Sequence, residues 1–273
     1  MFGRGVTLDA RAAALADDQQ VARARNILEL RLDYYFGLIK AAKYDEAYQQ
    51  LRADRALSSG QKKAIIGAVN ISYLFQHQLE WGNHGIRRSF RFWSEPQKNQ
   101  YVELALELVA LLRAEVTPHV SFGFGSVLGM IRDKDFIPHD DDMDLIIALP
   151  AQKRVTFSKV LANLRQILLA RDFVVPESNN LSHLTTARRG GIGTDIFVGF
   201  IDPDQRVSWF PSARRGFTFN DIFPTQTISF FGGDCPIPRD PLKYLAVTYG
   251  SDWRTPISNW DHPWETAAYR QFI

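Results

Sequence analysis

Four aspartates fall within five positions, Asp140, Asp141, Asp142 and Asp144, and run directly into the apolar stretch Leu145-Ile146-Ile147-Ala148-Leu149. Carboxylates this close repel one another unless cations or water intervene. A short apolar run bounded in this way reads as a strand. In a strand alternate side chains share a face and each residue advances about 3.3 Å, so Asp142 and Asp144 share a face with Cα atoms roughly 6.6 Å apart. Asp140 joins them if the strand begins early enough, and Asp141 points away. Carboxylates at that separation can hold one or two Mg²⁺ ions, which prefer hard oxygen ligands and also take oxygens from substrate phosphates. Upstream lies a small Gly-Ser turn, Gly123-Phe124-Gly125-Ser126. Its backbone N–H groups and the Ser126 hydroxyl suit a phosphate. Together these features point to metal-assisted phosphoryl transfer. The other reading of an acidic run is a solvated loop, a helix start or a structural calcium site. The adjoining strand and turn weigh against it.

The stretch Gly125-Ser126-Val127-Leu128-Gly129-Met130-Ile131-Arg132, then Phe136-Ile137-Pro138-His139 and the aspartates, resembles the signature of the LicD/fukutin family. That pattern reads roughly G-[ST]-x-L-G-x-x-R, a short loop, then F-I-P-W-D-D-D-x-D. This chain has His139 where the family usually has Trp, which changes a local packing or stacking contact and leaves the carboxylates in place. Thr194-Asp195-Ile196-Phe197 is similar to the family's D-[IV]-F strand. Pro236-Ile237-Pro238, Tyr244-Leu245 and Tyr249-Gly250-Ser251-Asp252-Trp253-Arg254-Thr255-Pro256 are similar to its C-terminal block. The resemblance covers about residues 98 to 258 in the correct order, and several motifs in register are more specific than one acidic run.

The resemblance implies an α+β fold, a nucleotidyltransferase-like mixed sheet flanked by helices. It implies a transferase that uses Mg²⁺ (or Mn²⁺) to move a phospho-alcohol group, such as phosphocholine or phosphoribitol, from a CDP-linked donor to a hydroxyl of a glycan or glycolipid, with release of CMP. Asp142 and Asp144 are the first metal ligands expected, with Asp140 next by spacing. Asp195 is the expected third carboxylate on a neighbouring strand, where it helps with the metal or takes the proton from the attacking hydroxyl. Gly125 and Ser126 are expected on a phosphate. Arg132 either neutralises a diphosphate or locks the acidic loop through an ion pair. His139 and His183 are possible acids or bases, but the family needs no histidine at position 139. Two other functions remain open: a nucleotidylyltransferase that releases pyrophosphate from an NTP, and a metal-binding scaffold or interaction protein without turnover.

Other classes find little support. The net charge of +2 is too mild to argue for nucleic-acid binding, and pairs such as Arg188-Arg189 and Arg214-Arg215 read as scattered solvated charge. No His/Cys zinc spacing, nucleophile elbow, P-loop or dinucleotide fingerprint is present. Cys235 is the only cysteine, so no intramolecular disulfide forms and no oxidising compartment is implied. Gly232-Gly233-Asp234 before it and Pro236 after it read as a loop. The first residues lack the apolar core of a signal peptide, and no run approaches the roughly 18 apolar residues of a membrane span. The expected location is cytoplasmic, at most peripheral on the inner membrane face.

Along the chain, residues 1–95 read as a helical region and 96–273 as the catalytic domain. Helical pattern begins near Asp9, and Ser59 or Gly60 is expected to cap a helix carrying Ile65, Ile66 and Val69. Trp81 to Pro96 reads as a linker rich in turn formers. A helix from about Gln97 to Glu115 ends before Pro118. Strands follow at Val120–Gly123, Leu145–Leu149, Phe173–Val175, His183–Thr186 and Ile192–Phe200, with a helix over Lys153–Leu169. Asp195 is expected to be exposed on one face of its strand. Tyr249, Trp253 and the Trp260–Trp264 tail read as packing residues, with base stacking as the alternative.

Overall fold

A computed structural model describes residues 25–151, 155–178, 180–189, 191–257 and 264–273. The helical start expected near Asp9 lies outside the described residues. The chain divides into two compact units, with the division between Phe92 and Trp93.

In the first unit α1 (residues 25–40), α2 (Tyr44–Ala53) and α3 (Ser59–Ser72) precede a hairpin of β1 (Glu80–Gly82) and β2 (Gly85–Arg87). Ser58, rather than Ser59 or Gly60, caps α3. Its hydroxyl accepts from the Gln61 N–H, while the Gln61 side chain accepts from the Ser58 N–H at 2.8 Å. This is a capping box, which satisfies two N–H groups that the helix leaves without partners. Tyr35, Ile39, Leu51, Val69 and Trp81 are buried together. The stretch read as a linker therefore begins inside a core. The turn formers make a hairpin because buried Asn70 accepts from the Trp81 N–H at 2.7 Å and donates to the Trp81 carbonyl at 3.3 Å. Glu80 is also buried, and it accepts from Ser89 Oγ at 2.6 Å and pairs with Arg91 at 3.2 Å.

The second unit mixes helices with one curled seven-stranded sheet, an α+β arrangement. It opens with α4 (Glu95–Glu115), where the Gln97 side chain accepts the Ser94 N–H at 3.0 Å and Pro96 sits in the first turn. Proline is tolerated there because that N–H has no helical partner. The sheet runs β3 (Val120–Phe122), β4 (Met143–Pro150), β7 (Thr194–Ile201), β6 (His183–Arg188) and β5 (Phe173–Val174). β4 and β7 are parallel, and the other pairs are antiparallel. The second half of β7 carries β8 (Arg206–Trp209), which pairs with β9 (Phe217–Thr218).

Every residue of β7 is buried. Asp195 is therefore not exposed, contrary to the alternation argument, because β6 lies alongside and covers it. Between β4 and β5, α6 spans Phe157–Leu169. Its start is later than the Lys153 expected from periodicity, a residue outside those described. Thr156 sets the boundary by accepting the Lys159 N–H, so Val155 precedes the helix.

Two further pieces complete this unit. The segment around Cys235 is a strand and not a loop: β10 (Gln226–Phe230) and β11 (Gly233–Ile237) form a hairpin whose Phe231-Gly232 turn has positive φ at both residues. In a two-stranded ribbon Pro236 can sit where its missing N–H costs no ladder bond. Burial pushes the Cys235 thiol up to about 12, which fits an inert core thiol. Arg214 is likewise not solvated. It is 10% exposed, bonds Asp202 and Ser208 at 2.7 Å, and lies over the rings of Tyr269 and Phe272. Among the described residues no helix is long and apolar enough to cross a membrane.

Candidate functional site

The site lies where the N-terminal ends of β4 and β7 come together. Parallel pairing sets Asp144 directly beside Asp195, and antiparallel pairing sets Asp195 beside Thr185 of β6. Partners in register project to the same face, so the three side chains form one row across the sheet.

The Gly-Ser turn is built around Asp144. The Gly123 N–H donates to the Asp144 carbonyl at 3.0 Å, and the Asp144 N–H donates to Ser126 Oγ at 2.8 Å. The Gly125 N–H donates to the Asp144 carboxylate at 3.1 Å. Gly125 and Ser126, expected on a phosphate, thus hold an aspartate by its backbone and its side chain. A hydroxyl that accepts one bond still has its own proton to donate. The chain enters this turn as α5 (Phe124–Leu128), with Phe124 at φ 39° and its N–H on the Tyr244 hydroxyl at 2.9 Å. Tyr244 comes from α7 (Pro241–Tyr249), which explains why the Tyr-Leu pair of the C-terminal motif accompanies the acidic one. A π-helical turn, Gly129–Asp133, follows α5. The Asp135 carbonyl sits 2.7 Å from where a Cβ on Gly129 would be, so glycine lets the loop close.

The aspartates before β4 are placed differently from the alternation argument. β4 begins at Met143, so residues 140–142 do not obey a two-residue period. Asp140, Asp141 and Asp142 each bring a carboxylate oxygen within 4.8 Å of the others. Asp141 therefore faces the cluster instead of pointing away. Asp140 Oδ2 and Asp144 Oδ2 both converge on Gly125, at 2.8 and 3.5 Å from the position of a Cβ there. Burial first, then the charges of Asp142, Asp140 and Asp195, hold the Asp144 carboxyl well above the ordinary carboxylate range. Such a cluster of oxygens is a hard-ligand set, and octahedral Mg²⁺ with bonds of about 2.1 Å needs opposite oxygens about 4.2 Å apart. The oxygens of Asp140, Asp141 and Asp142 lie no more than 4.8 Å apart, which is compatible with such an ion between them.

Other expected residues divide. Arg132 makes a two-pronged pair with its neighbour Asp133 at 2.8 Å, and this ion pair is not with the acidic cluster. His139 is exposed. Tyr249 is half-buried, and burial followed by Tyr244, Asp144 and Asp140 raises its phenol well above the usual range. Trp253 is buried, as a packing residue should be, whereas Trp264 of the tail is exposed and Trp260 lies outside the described residues.

Two further side chains border the site, one with no expected role and one expected only as a possible acid or base. The first is Tyr101 of α4, whose hydroxyl accepts the Met143 N–H at 2.9 Å and donates to the Gly193 carbonyl. It ties the starts of β4 and β7 together, next to both aspartates. Burial keeps this phenol well above its ordinary range, hence neutral. Tyr101→Phe leaves two backbone groups without that partner and is expected to cost about 1–2 kcal/mol. Urea denaturation reads this loss, and an unchanged midpoint would refute the bridging role. The second is His183 of β6, whose Nε2 lies 3.1 Å from Asp195 Oδ2. No motif marks either residue, since their partners are 42 and 12 positions away along the chain and come from other elements.

Residues 121–240 match the family model "LicD/FKTN/FKRP, nucleotidyltransferase domain". The match contains Gly125, Ser126, Arg132, the aspartate cluster, His183 and Asp195, and ends before Tyr244. Among curated proteins the chain is 24% identical over 140 residues to "Ribitol-5-phosphate transferase FKTN" of Macaca fascicularis, Homo sapiens and Mus musculus. That region is 50% of this chain and 30% of each relative's length. The family-model match and the strands of the site fall on the residues of the signature, so that over residues 121–240 the chain is similar to the LicD/fukutin family.

Proposed function

We propose that the second unit is a divalent-metal-dependent transferase that moves a phospho-alcohol group, of the phosphoribitol or phosphocholine type, from a CDP-linked donor to a glycan hydroxyl. The observation that carries this reading is the convergence of Asp140, Asp141 and Asp142 on one spot beside the Asp144–Asp195 row. Asp140, Asp142 and Asp144 would hold Mg²⁺ or Mn²⁺, with Asp141 close enough to assist. The metal, when bound, supplies charge neutralisation for a diphosphate.

The chain's own groups then do the following. The turn Gly123–Ser126 fixes Asp144, and the Ser126 hydroxyl retains a proton for a phosphate oxygen. Asp195 takes the proton of the acceptor hydroxyl as that oxygen bonds to the phosphorus bearing the alcohol. The bond from that phosphorus to CMP breaks, and CMP leaves with the electron pair. Positioning and charge placement supply most of the rate in such transfers. The relatives' activity, ribitol-5-phosphate transfer, supports the phosphoribitol form of the donor. The cytoplasmic and at most peripheral location belongs to the same reading and rests on the sequence.

A panel of CDP-, UDP- and GDP-linked donors, each with and without Mg²⁺, tests the reading. CMP release from CDP-ribitol or CDP-choline that needs Mg²⁺ or Mn²⁺ is expected. Full activity after exhaustive chelation would sink the mechanism. Pyrophosphate release from CTP would favour nucleotidylyl transfer, and metal binding without turnover on any donor would favour a scaffold.

A further inference from the structure

We propose that His183 is a positioning residue for Asp195: with Thr185 it holds the carboxylate from the β6 side and turns its remaining acceptor positions toward Asp144. The proposal rests on the reading of Asp195 as the group that takes the acceptor proton. Thr185 donates to Asp195 Oδ1 at 2.6 Å, and His183 Nε2 stands 3.1 Å from Oδ2. Each oxygen of the carboxylate thus has one neighbour from the same strand, two residues apart. An ionised carboxylate only accepts and has about four lone-pair positions, so each oxygen keeps one for a hydroxyl on the Asp144 side.

The histidine is itself held. Its ring lies against Phe197 at 5.0 Å between centroids, and Phe197 packs under Phe124 of the Gly-Ser turn at 4.5 Å. Its Nδ1 lies 2.8 Å from Ser182 Oγ, and the Asn180 amide is 3.3 Å from the ring nitrogens. Because Asp195 can only accept, the hydrogen facing it must sit on Nε2. The arrangement runs from the half-exposed loop at Asn180 and Ser182, through His183, to the buried aspartate. Ring orientation set by a second partner is the usual way a histidine is made to point one nitrogen at a functional group. During transfer His183 keeps its Nε2 hydrogen, and the hydroxyl proton goes to Asp195.

The test has two arms. Nitrogen-15 NMR of histidine-labelled full-length protein, with the His183 signal assigned by its absence in His183→Gln, reads the hydrogen bond without any turnover. An Nε2-bound hydrogen is expected, and a hydrogen on Nδ1 with bare Nε2 overturns the proposal. The kinetic arm compares His183→Ala with His183→Gln, whose amide nitrogen can stand at the Nε2 position. His183→Ala is expected to lower kcat about thirtyfold while KM for the CDP-linked donor and Mn²⁺ affinity stay within about twofold. His183→Gln is expected to recover kcat to within about fivefold of wild type. Wild-type kcat in His183→Ala, or equal losses in both variants at unchanged melting temperature, overturns positioning by hydrogen donation. If His183→Ala does not fold, Thr185→Val removes the donor on the other oxygen, and unchanged kcat there overturns the clamp. If wild-type protein transfers nothing, the reaction assignment fails while the NMR arm still decides the His183–Asp195 bond.

Discussion

Asp142→Asn and Asp144→Asn are each expected to lower transfer turnover by at least about a hundredfold, a loss of roughly 2.7 kcal/mol in transition-state stabilisation. The substitution keeps size and removes one negative charge from a set of hard ligands. Stability should move the other way. The Asp144 carboxyl is held above its ordinary range by burial and by three neighbouring carboxylates. The folded state therefore binds that proton more tightly than the unfolded chain does. This group favours folding in acid, and its contribution is lost as pH rises from the ordinary value near 3.9 through the folded value. Without divalent cation, Asp144→Asn should flatten that fall and raise the melting temperature at neutral pH. A shift of roughly 2–4 °C accompanies each kcal/mol of repulsion removed in a domain of this size. Donor consumption and melting curves, measured side by side, check both effects. Wild-type turnover in correctly folded variants eliminates the metal-site assignment. Asp141→Asn does not serve as an unaffected control, because its carboxylate joins the cluster. Asp234→Asn on the exposed side of β11 does, since Asp234 takes no part in the site.

Much of this site was legible because its elements are local in sequence or carry strong patterns. The apolar run after Asp144 forces β4, and the D-[IV]-F pattern places Asp195 on a strand that proves to be the parallel neighbour of β4. What failed was the extension of strand alternation to residues 140–142. Pairing with β7 starts only at Met143 opposite Thr194, so nothing imposes an extended period upstream. A single sequence does not announce where a partner strand begins. The same limit hid the burial of Asp195, the strand at Cys235 and the clamp by Tyr101, each of which depends on a distant neighbour. Helix starts were misplaced by one to a few residues, Ser58 in place of Ser59 or Gly60 and Thr156 in place of a start at Lys153. Ser58 and Thr156 act through bonds three residues long, whereas the hairpin at Trp81 depends on Asn70 from another helix. The expected phosphate contacts of Gly125 and Ser126 illustrate a further limit. The motif correctly marked a constrained turn, but the constraint visible in the fold is the holding of Asp144.

Gly125→Ala should reduce turnover by about a hundredfold without touching any charge. A Cβ at this position would stand 2.8 Å from Asp140 Oδ2 and 3.5 Å from Asp144 Oδ2. The first distance is below any normal contact, so the Asp140 carboxylate must move. Moving it separates Asp140 from Asp141 and Asp142, whose oxygens otherwise gather within 4.8 Å. The Gly125 N–H that holds Asp144 remains, so Asp144 keeps its clamp and the fold keeps its support. The displaced atom is the end of a half-buried side chain, and melting temperature should therefore change little. Mn²⁺ affinity, read by calorimetry on the full chain, should fall at least tenfold, since displacing one ligand by about an ångström breaks an octahedral set. This separates two roles for the glycine. If Gly125 serves only to bring its N–H to a phosphate, the alanine variant keeps metal affinity and loses donor binding, which appears as a raised KM with kcat preserved. If Gly125 makes room for the aspartates, metal affinity and kcat fall together. The convergence of two carboxylate oxygens on the place a Cβ would take favours the second outcome, and unchanged Mn²⁺ affinity in Gly125→Ala would refute it.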